Sequence, residues 1–228
     1  MSEMDHAVQK RYYPVFLDVE GLRCVVVGGG NVALRKAHAL AVAGAEVIVV
    51  APEVSREMEA LVAASPRVHL VRNEFDPNDL AGAFLAIAAT DDADVNEAVS
   101  RAAREQSVLV NVVDQPTLSS FIVPATVARG RLQVAISTSG ASPAFAAALR
   151  KRIEKQLDPR LAAYVEAMAT VRPLVLAEVA DGERRAAIFE QLASSEVVER
   201  CMEQEPKHAD AWLMDEARRL IARAREPG

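Results

Sequence analysis

Residues 23–52 read RCVVVGGGNVALRKAHALAVAGAEVIVVAP, and this stretch decides the fold. A short β-branched run stops at three consecutive glycines, after which the apolar spacing changes from continuous to helical. Gly44 predicts a glycine cap at the end of that helix, and the apolar run at 47–50 predicts a second buried strand. This order of strand, glycine turn, helix and strand is typical of the βαβ unit that opens a nucleotide-binding fold.

The glycine turn also indicates phosphate binding. In the spacing Gly28-x-Gly30-x-x-Ala33, the first glycine permits a tight turn and the second lets the backbone approach a pyrophosphate. The N–H groups of the first helical turn, at Asn31 and Val32, then face the anion. The alternative is an ordinary βα turn that binds nothing, because glycines also mark plain turns.

One part of this dinucleotide fingerprint is missing. A carboxylate about 20 residues after the glycines usually binds the adenosine ribose, but here the second strand ends in Ala51 and Pro52, with Glu53 beyond. We therefore expect Pro52 and Glu53 to make the ribose contact. Arg56 lies close enough in sequence to bind a 2′-phosphate. We therefore prefer NAD as the predicted cofactor, and the sequence leaves NADP open.

Composition narrows the class of protein. The chain has 228 residues, of which 51% are hydrophobic, enough for a sizeable core. We expect a cytoplasmic protein with no membrane partner, since no apolar run approaches the roughly 18 residues of a membrane helix and the N-terminus is too polar for a signal peptide. The net charge of −6 does not indicate a nucleic-acid surface. The cysteines and histidines lack ligand spacing, so no preformed metal site is expected.

Strand and helix patterns alternate as far as residue 110, which predicts an α/β fold with a Rossmann-type, doubly wound parallel sheet. The later strands are expected at 68–71, 84–88 and 108–110, with helices after Ser55 and Asp76 and over 93–105. Ligands of such sheets bind at the carboxyl ends of the strands. Besides the glycine turn, Pro52 and Glu53, those ends carry Thr90, Asp91 and residues 111–114.

Asp114 is the candidate catalytic residue. It follows the fifth predicted strand by a few residues, on the nicotinamide side of the expected crevice, and a carboxylate in a partly desolvated cleft can serve in proton transfer. Position alone supports an equally good interpretation, a loop aspartate that caps a turn before Pro116.

The pattern changes after Pro116. Residues 121–123 and 132–136 are strand-like, and Ser142 followed by Pro143 predicts the start of a helix that runs to about 157. This small α+β block is too short to bury a core alone, so we expect it to pack on a second copy in a homodimer.

The same block holds the candidate substrate contacts. The loop with Ser137, Thr138 and Ser142 is a carboxylate site at a helix N-terminus, or else only a set of caps. A basic cluster around Arg150 is either a solvated helix face or a docking patch for a polyanionic small molecule; its residues are Arg150, Lys151, Arg152, Lys155 and Arg160.

The remainder of the chain is predicted to be helical, in four helices broken near Pro173, residues 181–182 and Pro206. The apolar residues expected to form its core are Trp212, Leu213, Leu220 and Ile221. The sequence is thus divided into an NAD-binding Rossmann domain at 1–115, a dimerisation and substrate block at 116–158 and a helical C-terminal domain at 159–228.

Four segments together resemble the precorrin-2 dehydrogenase and sirohydrochlorin ferrochelatase family. In the family's order they are YPVFLDVEGLRCVVVGGGNVALRKAHAL, AATDDADVN, NVVDQPTLSSFIVPA and LQVAISTSGASPAFAAALRKRIE, which fall within residues 13–154. The resemblance implies NAD-dependent dehydrogenation of precorrin-2 to sirohydrochlorin, often followed by insertion of Fe²⁺ as a co-substrate to give sirohaem. It also implies a stand-alone module without the methyltransferase domain of siroheme synthase.

The resemblance assigns roles to particular residues. The aspartate of the NVVD motif, which is Asp114 here, is the family's key residue for both steps and would meet the metal during chelation. Ser137 and Thr138 match a family position that carries a hydroxyl. A tetrapyrrole with many carboxylates would suit the basic cluster around Arg150, and the family dimerises through the block after the nucleotide domain.

Three alternatives stay open. Some relatives only dehydrogenate and leave chelation to a separate enzyme. A nucleotide-sensing regulatory module of the potassium-transport type shares the glycine turn and the ATDD segment, but usually keeps an acid where this chain has Ala51 and Pro52. A general NAD oxidoreductase is disfavoured by the absence of a catalytic His or Tyr-Lys signature.

Overall fold

The computed structural model describes residues 11–225, which form two compact units joined between Val123 and Pro124. We call them the N-terminal unit and the C-terminal unit. Residues 116–123, assigned from sequence to the second of three parts, belong to the N-terminal unit, and the hairpin and all later helices share the C-terminal unit. The division into three functional parts stays a prediction.

The N-terminal unit is built on a parallel sheet with the strand order β3-β2-β1-β4-β5. Its strands are β1 (Arg23–Val27), β2 (Glu46–Val50), β3 (Val68–Val71), β4 (Leu85–Ala88) and β5 (Leu109–Val112). The pairing register aligns the last residues of all five strands, because Val27 pairs with both Val50 and Ala88, and these in turn pair with Val71 and Val112. The carboxyl ends therefore form one level edge.

Helices cover both faces of this sheet, which confirms the predicted doubly wound fold. The helices are α1 (Asn31–Val42), α2 (Arg56–Ala64) and α3 (Ala93–Glu105), with a short 3-10 helix at Pro77–Leu80. Alternate residues of β1 serve the two cores: Cys24 and Val26 pack on the side of α1 and α2, and Val25 and Val27 on the side of α3. Burial of every residue from 24 to 27 explains the continuous apolar run in the sequence.

Local capping signals place the helix ends as predicted. Gly44 has a φ of +90°, and its N–H and that of Ala45 donate to the carbonyls of Ala41 and Leu40, each at 3.0 Å, in a Schellman motif. Ser55 accepts the Met58 N–H at the start of α2, and a capping box at Asp76 begins the 3-10 helix. Strand β5 continues to Val112, beyond the predicted end at 110, because Asn111 is a buried strand residue.

The C-terminal unit combines an antiparallel hairpin with five helices. Its elements are β6 (Ala125–Arg129), β7 (Leu132–Ile136), α4 (Pro143–Gln156), α5 (Leu161–Glu178), α6 (Gly182–Leu192), α7 (Ser195–Glu203) and α8 (Pro206–Arg225). The strand predicted at 121–123 was misplaced, since the hairpin strand starts after Pro124. The register of the hairpin is set by the turn at Gly130, whose φ is +56°. Phe121, from the segment predicted as a strand, packs against the core of the N-terminal unit.

The predicted number of C-terminal helices is correct, but the break near Pro173 is wrong. Pro173 lies inside α5 on its exposed side. A proline has no N–H to donate to the carbonyl four residues earlier in the helix. On the exposed side of α5, solvent can hydrate that carbonyl instead. The expected core residues Leu213, Leu220 and Ile221 are buried, and Trp212 packs partly against them. No helix within residues 11–225 has the length and apolar character needed to cross a membrane.

The glycine turn predicts a contrast in stability between neighbouring substitutions. A methyl group on Gly29 would overlap the backbone carbonyl of Glu53, whereas one on Gly30 would meet nothing within 4 Å. We expect Gly29→Ala to destabilise the protein by about 1–3 kcal/mol and Gly30→Ala to change its stability little. Urea denaturation of the three proteins checks this, and equal midpoints would contradict the close approach at Gly29.

A second stability prediction concerns Cys24, which is fully buried in β1. Burial raises the pKa of this thiol to about 11, partly offset by a hydrogen bond from the Leu85 backbone. Since the unfolded chain loses this proton near pH 8.5, the folded state binds more protons above that pH, and its stabilisation is lost as pH rises toward 11.

We therefore expect the free energy of unfolding to fall between pH 8 and pH 10.5 by about 2 kcal/mol more in the native protein than in Cys24→Val. Urea titrations followed by circular dichroism at the two pH values measure this difference. Because other groups titrate equally in both proteins, parallel pH profiles would rule out the thiol as the cause.

Candidate dinucleotide site

A cleft of about 650 Å³ opens at the carboxyl edge of the sheet, where the strand order reverses between β1 and β4. It brings together all the residues predicted to bind the cofactor, namely Gly28, Gly30, Asn31, Val32, Pro52, Glu53, Thr90 and Asp91. The reversal point of a doubly wound sheet is where such folds bind ligands.

The glycine turn forms the floor of the cleft. Gly28 has a φ of +129°, donates its N–H to the Val50 carbonyl at 2.9 Å, and lies so close to the Ala89 carbonyl that a side chain would overlap it. Gly29 is equally close to Glu53, and its carbonyl accepts the Ser55 N–H at 3.0 Å. Gly28 and Gly29 therefore allow the chain to pass between its neighbours.

Gly30 has a different role, because a side chain there would project into open space. It is the N-cap of α1 and has no side-chain atom to accept the N–H groups of the first turn. Those groups and the positive end of the helix dipole suit an anion, and the space above Gly30 accommodates a phosphate close to the backbone. The residues present thus fit a dinucleotide pyrophosphate.

The end of the cleft beside β2 and β3, where the adenosine is expected, includes two residues that the sequence did not point to. Glu74 and Phe75 follow β3 and line the cleft together with Pro52 and Glu53 from the end of β2. The same rule about strand carboxyl ends would have found them, had it been applied to β3. Phe75 also packs against the core on the α3 side of the sheet and so gives this end an apolar wall.

Charge in the cleft is of one sign. Its lining includes the carboxylates of Glu53, Glu74, Asp91 and Asp92, and no lysine or arginine among the described residues. Arg56, considered above as a partner for a 2′-phosphate, is the first residue of α2 and does not line the cleft. Arg72, just after β3, is paired with Glu59 at 2.5 Å.

The loop after β4 is held by its own side chains. The Thr90 hydroxyl donates to the Asp92 carbonyl and accepts the Asp92 N–H, both at 3.0 Å. Asp92 caps α3 by accepting the N–H groups of Asp94 and Val95. The Asn96 amide donates to the Thr90 carbonyl at 3.0 Å, which ties this wall of the cleft to α3.

Asp114 lies outside the lining of this cleft, in the loop after the neighbouring strand. It adopts a φ of +58° in a turn closed by the Gln115 N–H on the Val112 carbonyl at 3.2 Å. Its carboxylate accepts no hydrogen bond from residues 11–225, so the turn-capping interpretation gains no support. The side chain is exposed and available to a ligand.

A half-buried cation interacts with Asp114. Lys36 is on α1, whose Ala33 and Ala37 share a core with Val113. Burial lowers the pKa of the Lys36 ammonium, the neighbouring Arg35 lowers it further, and the Asp114 carboxylate partly opposes both effects. The Asp114 carboxylate therefore has a lysine within electrostatic range, whereas the described lining of the cleft holds no lysine or arginine.

The candidate substrate residues belong to the C-terminal unit. Ser137, Thr138 and Ser142 share the loop between β7 and α4, and each of their hydroxyls accepts a local backbone N–H, from Ser139, Ser142 and Phe145 respectively. Each hydroxyl keeps its own proton as a donor. Arg150 is paired with Glu154 at 2.8 Å and Arg160 with Asp158 at 2.7 Å. Within residues 11–225, the exposed Lys151, Arg152 and Lys155 on α4 make no ion pair.

No group of three or more potential metal ligands of the His, Cys, Asp and Glu types occurs within the described residues. Cys24 and Cys201 are both buried free thiols, in different units.

Comparison with known proteins agrees with this geometry. An NAD(P)-binding family model matches residues 15–125, and a model of the central part of sirohaem biosynthesis proteins matches residues 129–156. Siroheme synthase of Thioalkalivibrio sulfidiphilus is 41% identical over 220 residues, or 95% of this chain and 42% of the relative. Siroheme synthase of Methylobacillus flagellatus is 41% identical over 202 residues, or 86% of this chain and 42% of the relative. The chain thus spans less than half the length of these curated relatives.

The fold is also that of a solved enzyme. The structure named SirC, precorrin-2 dehydrogenase, superposes with a TM-score of 0.71 at 25% identity, covering 93% of this chain and 98% of that one. Since both family models, the relatives and this structural neighbour agree with the motifs in the sequence, the chain belongs to the precorrin-2 dehydrogenase and sirohydrochlorin ferrochelatase family.

Proposed function

We propose that the protein is an NAD-dependent dehydrogenase that converts precorrin-2 to sirohydrochlorin. The observation that carries the proposal is the placement of a dinucleotide-shaped cleft and an unbonded carboxylate on neighbouring strand ends. Ala88 pairs with Val112, and the Val113 N–H donates to the Ala88 carbonyl at 3.0 Å. Thr90 and Asp114 therefore follow adjacent, level strand ends by the same number of residues.

The chemistry divides between the two strand ends. A bound NAD supplies a hydride acceptor. Dehydrogenation of the macrocycle also releases a proton, and Asp114 is the residue we assign to accept it, because its carboxylate is exposed and makes no competing hydrogen bond with the described residues. The backbone N–H groups at the start of α1 and the loop residues around Thr90 bind and orient the dinucleotide.

We propose NAD and not NADP as the cofactor. The ribose end of the cleft presents Glu53 and Glu74 and no cation from the described residues. A 2′-phosphate would add negative charge beside these carboxylates with nothing to neutralise it, whereas ribose hydroxyls can donate hydrogen bonds to them.

We also propose Fe²⁺ insertion into sirohydrochlorin as a second reaction, with dehydrogenation alone as the alternative. Metal insertion releases two pyrrole N–H protons, and we assign Asp114 to accept them one after the other and to pass each to solvent. The protein would act in the cytoplasm as a homodimer. Support for self-association comes from Phe145, which is 57% exposed on α4, and from the apolar hairpin residues Leu132 and Val134, which are only partly buried.

The Asp114 assignment predicts a specific kinetic defect. With precorrin-2 and NAD under anaerobic conditions, we expect sirohydrochlorin to form, and Asp114→Asn to lower kcat by about 10²–10⁴-fold because the proton acceptor is lost. The affinity for NADH should not change. Visible spectra follow the oxidation, and NADH fluorescence measures binding.

Asp94→Asn, which removes an exposed carboxylate of α3 outside the cleft lining, is the matched control and should leave kcat unchanged. Failure to oxidise precorrin-2 with either NAD or NADP would overturn the dehydrogenase proposal. Adding Fe²⁺ to the product then tests chelation, and sirohaem formation no faster than in protein-free solution would reduce the protein to a dehydrogenase.

Cofactor choice gives a further prediction. We expect kcat/KM to favour NAD over NADP, and Glu74→Lys to shift that ratio toward NADP by about tenfold, as one charge reversal near a phosphate implies. Glu105→Lys, which makes the same charge change at the far end of α3, should leave the ratio as it is. An equal shift in both variants would assign the effect to net charge and not to the ribose end of the cleft.

A further inference from the structure

Buried polar side chains are concentrated in one part of the molecule. Within residues 11–225 they are Asn96, Ser100, Asn111 and Ser119, which are 3% to 8% exposed. A buried polar group is costly unless it is hydrogen-bonded, so each needs a partner that the fold supplies. All of them bond to the backbone of β5 or of the loops that follow β4 and β5.

Asn96 bonds to the loop after β4. Its side-chain amide donates to the Thr90 carbonyl at 3.0 Å, while its own N–H donates to the Asp92 carbonyl at 3.1 Å. The Asn96 amide thus fixes the Thr90 end of the loop that lines the dinucleotide cleft. The first turn of α3 fixes the other end, at Asp92.

Ser100 bonds to the loop after β5. It lies one turn further along α3, on the same face as Asn96, and its hydroxyl donates to the Leu118 carbonyl at 2.7 Å. The loop is folded back along β5, where Ser119 and Ser120 accept the N–H groups of Val112 and Val110 at 2.9 and 2.8 Å.

This arrangement leaves Asp114 at the tip of a loop whose return limb is fixed to two elements. The Asn111 amide donates to the Phe121 carbonyl at 3.1 Å, so β5 holds the limb along its edge. Ser100 holds it from α3, and so does the exposed Arg104, whose guanidinium donates to the Thr117 carbonyl at 3.1 Å. No other side chain of α3 that is buried and polar is present in the described chain.

We propose that Asn96 and Ser100 are positioning residues that set the geometry between the bound dinucleotide and Asp114 from one face of α3. The inference rests on the function proposed above. Because one rigid helix holds both loops, it fixes the distance between them. Removal of a hydride and a proton from one macrocycle requires the dinucleotide and Asp114 at defined positions, since small misplacements lower the rate by large factors.

The two side chains predict different defects. Asn96→Asp replaces the donor with a carboxylate facing the Thr90 carbonyl and should raise the dissociation constant of NADH about tenfold. Ser100→Ala should lower kcat about tenfold with NADH affinity unchanged, and should increase amide hydrogen exchange at residues 115–120. Asn96→Ser gives a second, milder variant with the same expected direction for NADH.

Val99→Ala is the matched control, because Val99 is a fully buried α3 residue between the two and touches the sheet core. We expect it to lower Tm without changing NADH affinity, kcat or exchange at 115–120. If all the variants lose NADH affinity and kcat only in proportion to their loss of Tm, the two side chains are merely structural and the inference is overturned.

The inference can survive failure of the proposed function. NADH binding and hydrogen exchange do not require precorrin-2, so weaker NADH binding in Asn96→Asp together with selective loop exchange in Ser100→Ala supports the positioning roles even where no oxidation occurs. Wild-type protein that binds no NADH would contradict both the proposed function and the role of Asn96.

Discussion

The structure depends on the close packing of three backbone segments: the glycine turn at the end of β1 and the loops that follow β2 and β4. Gly28 lies against the Ala89 carbonyl and Gly29 against the Glu53 carbonyl, so the glycine turn passes between the loops after β4 and β2 with no space for side chains. Because the strand ends are level, this contact fixes the loops from both neighbouring strands relative to the start of α1. The cleft is the space that remains above the third glycine, Gly30.

Different interactions hold the loops on the two sides of the site, backbone contacts around β1 and side-chain hydrogen bonds around β5. Around β1 the loops are held by glycine contacts and by backbone hydrogen bonds, such as that from Ser55 to Gly29 at 3.0 Å. Around β5, which is an edge strand, the loop is instead held by serine and asparagine side chains that bond to exposed strand groups. An edge strand needs such cover because its free N–H and C=O groups would otherwise face solvent or another chain. The NVVDQPTLSSF segment therefore covers the edge and presents Asp114 at the same time.

Short-range signals allowed most of the fold to be predicted. The cap at Ser55, the capping box at Asp76 and the glycine at 44 depend on residues within one turn, and the helix and strand ends follow them closely. The errors involve long-range pairing. The strand lies at 125–129 and not at 121–123 because the former segment pairs with β7. Pro173 is tolerated within α5 because it lies on the solvent-exposed side of that helix.

The candidate site was predicted to the same extent. Every residue predicted to bind the cofactor, from the glycine motif and the ends of β2 and β4, lines one cleft, because parallel pairing brings strand ends together whatever the loop sequences are, whereas Asp114 after β5 lies outside that lining. Glu74 and Phe75 were missed since β3 carried no motif, and the roles of Asn96 and Ser100 depend on burial, which α3 periodicity alone does not show. Among the substrate candidates, Arg150 turned out to be paired with Glu154.

Charge separates the two halves of the proposed site. The dinucleotide cleft has four carboxylates and no cation in its described lining, whereas the Asp114 carboxylate interacts with the Lys36 ammonium on α1. We expect a substrate with many carboxylates to be repelled from the first region and attracted to the second, and a dinucleotide to bind the first through backbone N–H groups and ribose hydroxyls. The same sheet edge can therefore sort two anionic ligands without a barrier between their sites, because the phosphate is neutralised by backbone dipoles and the carboxylates by side-chain cations.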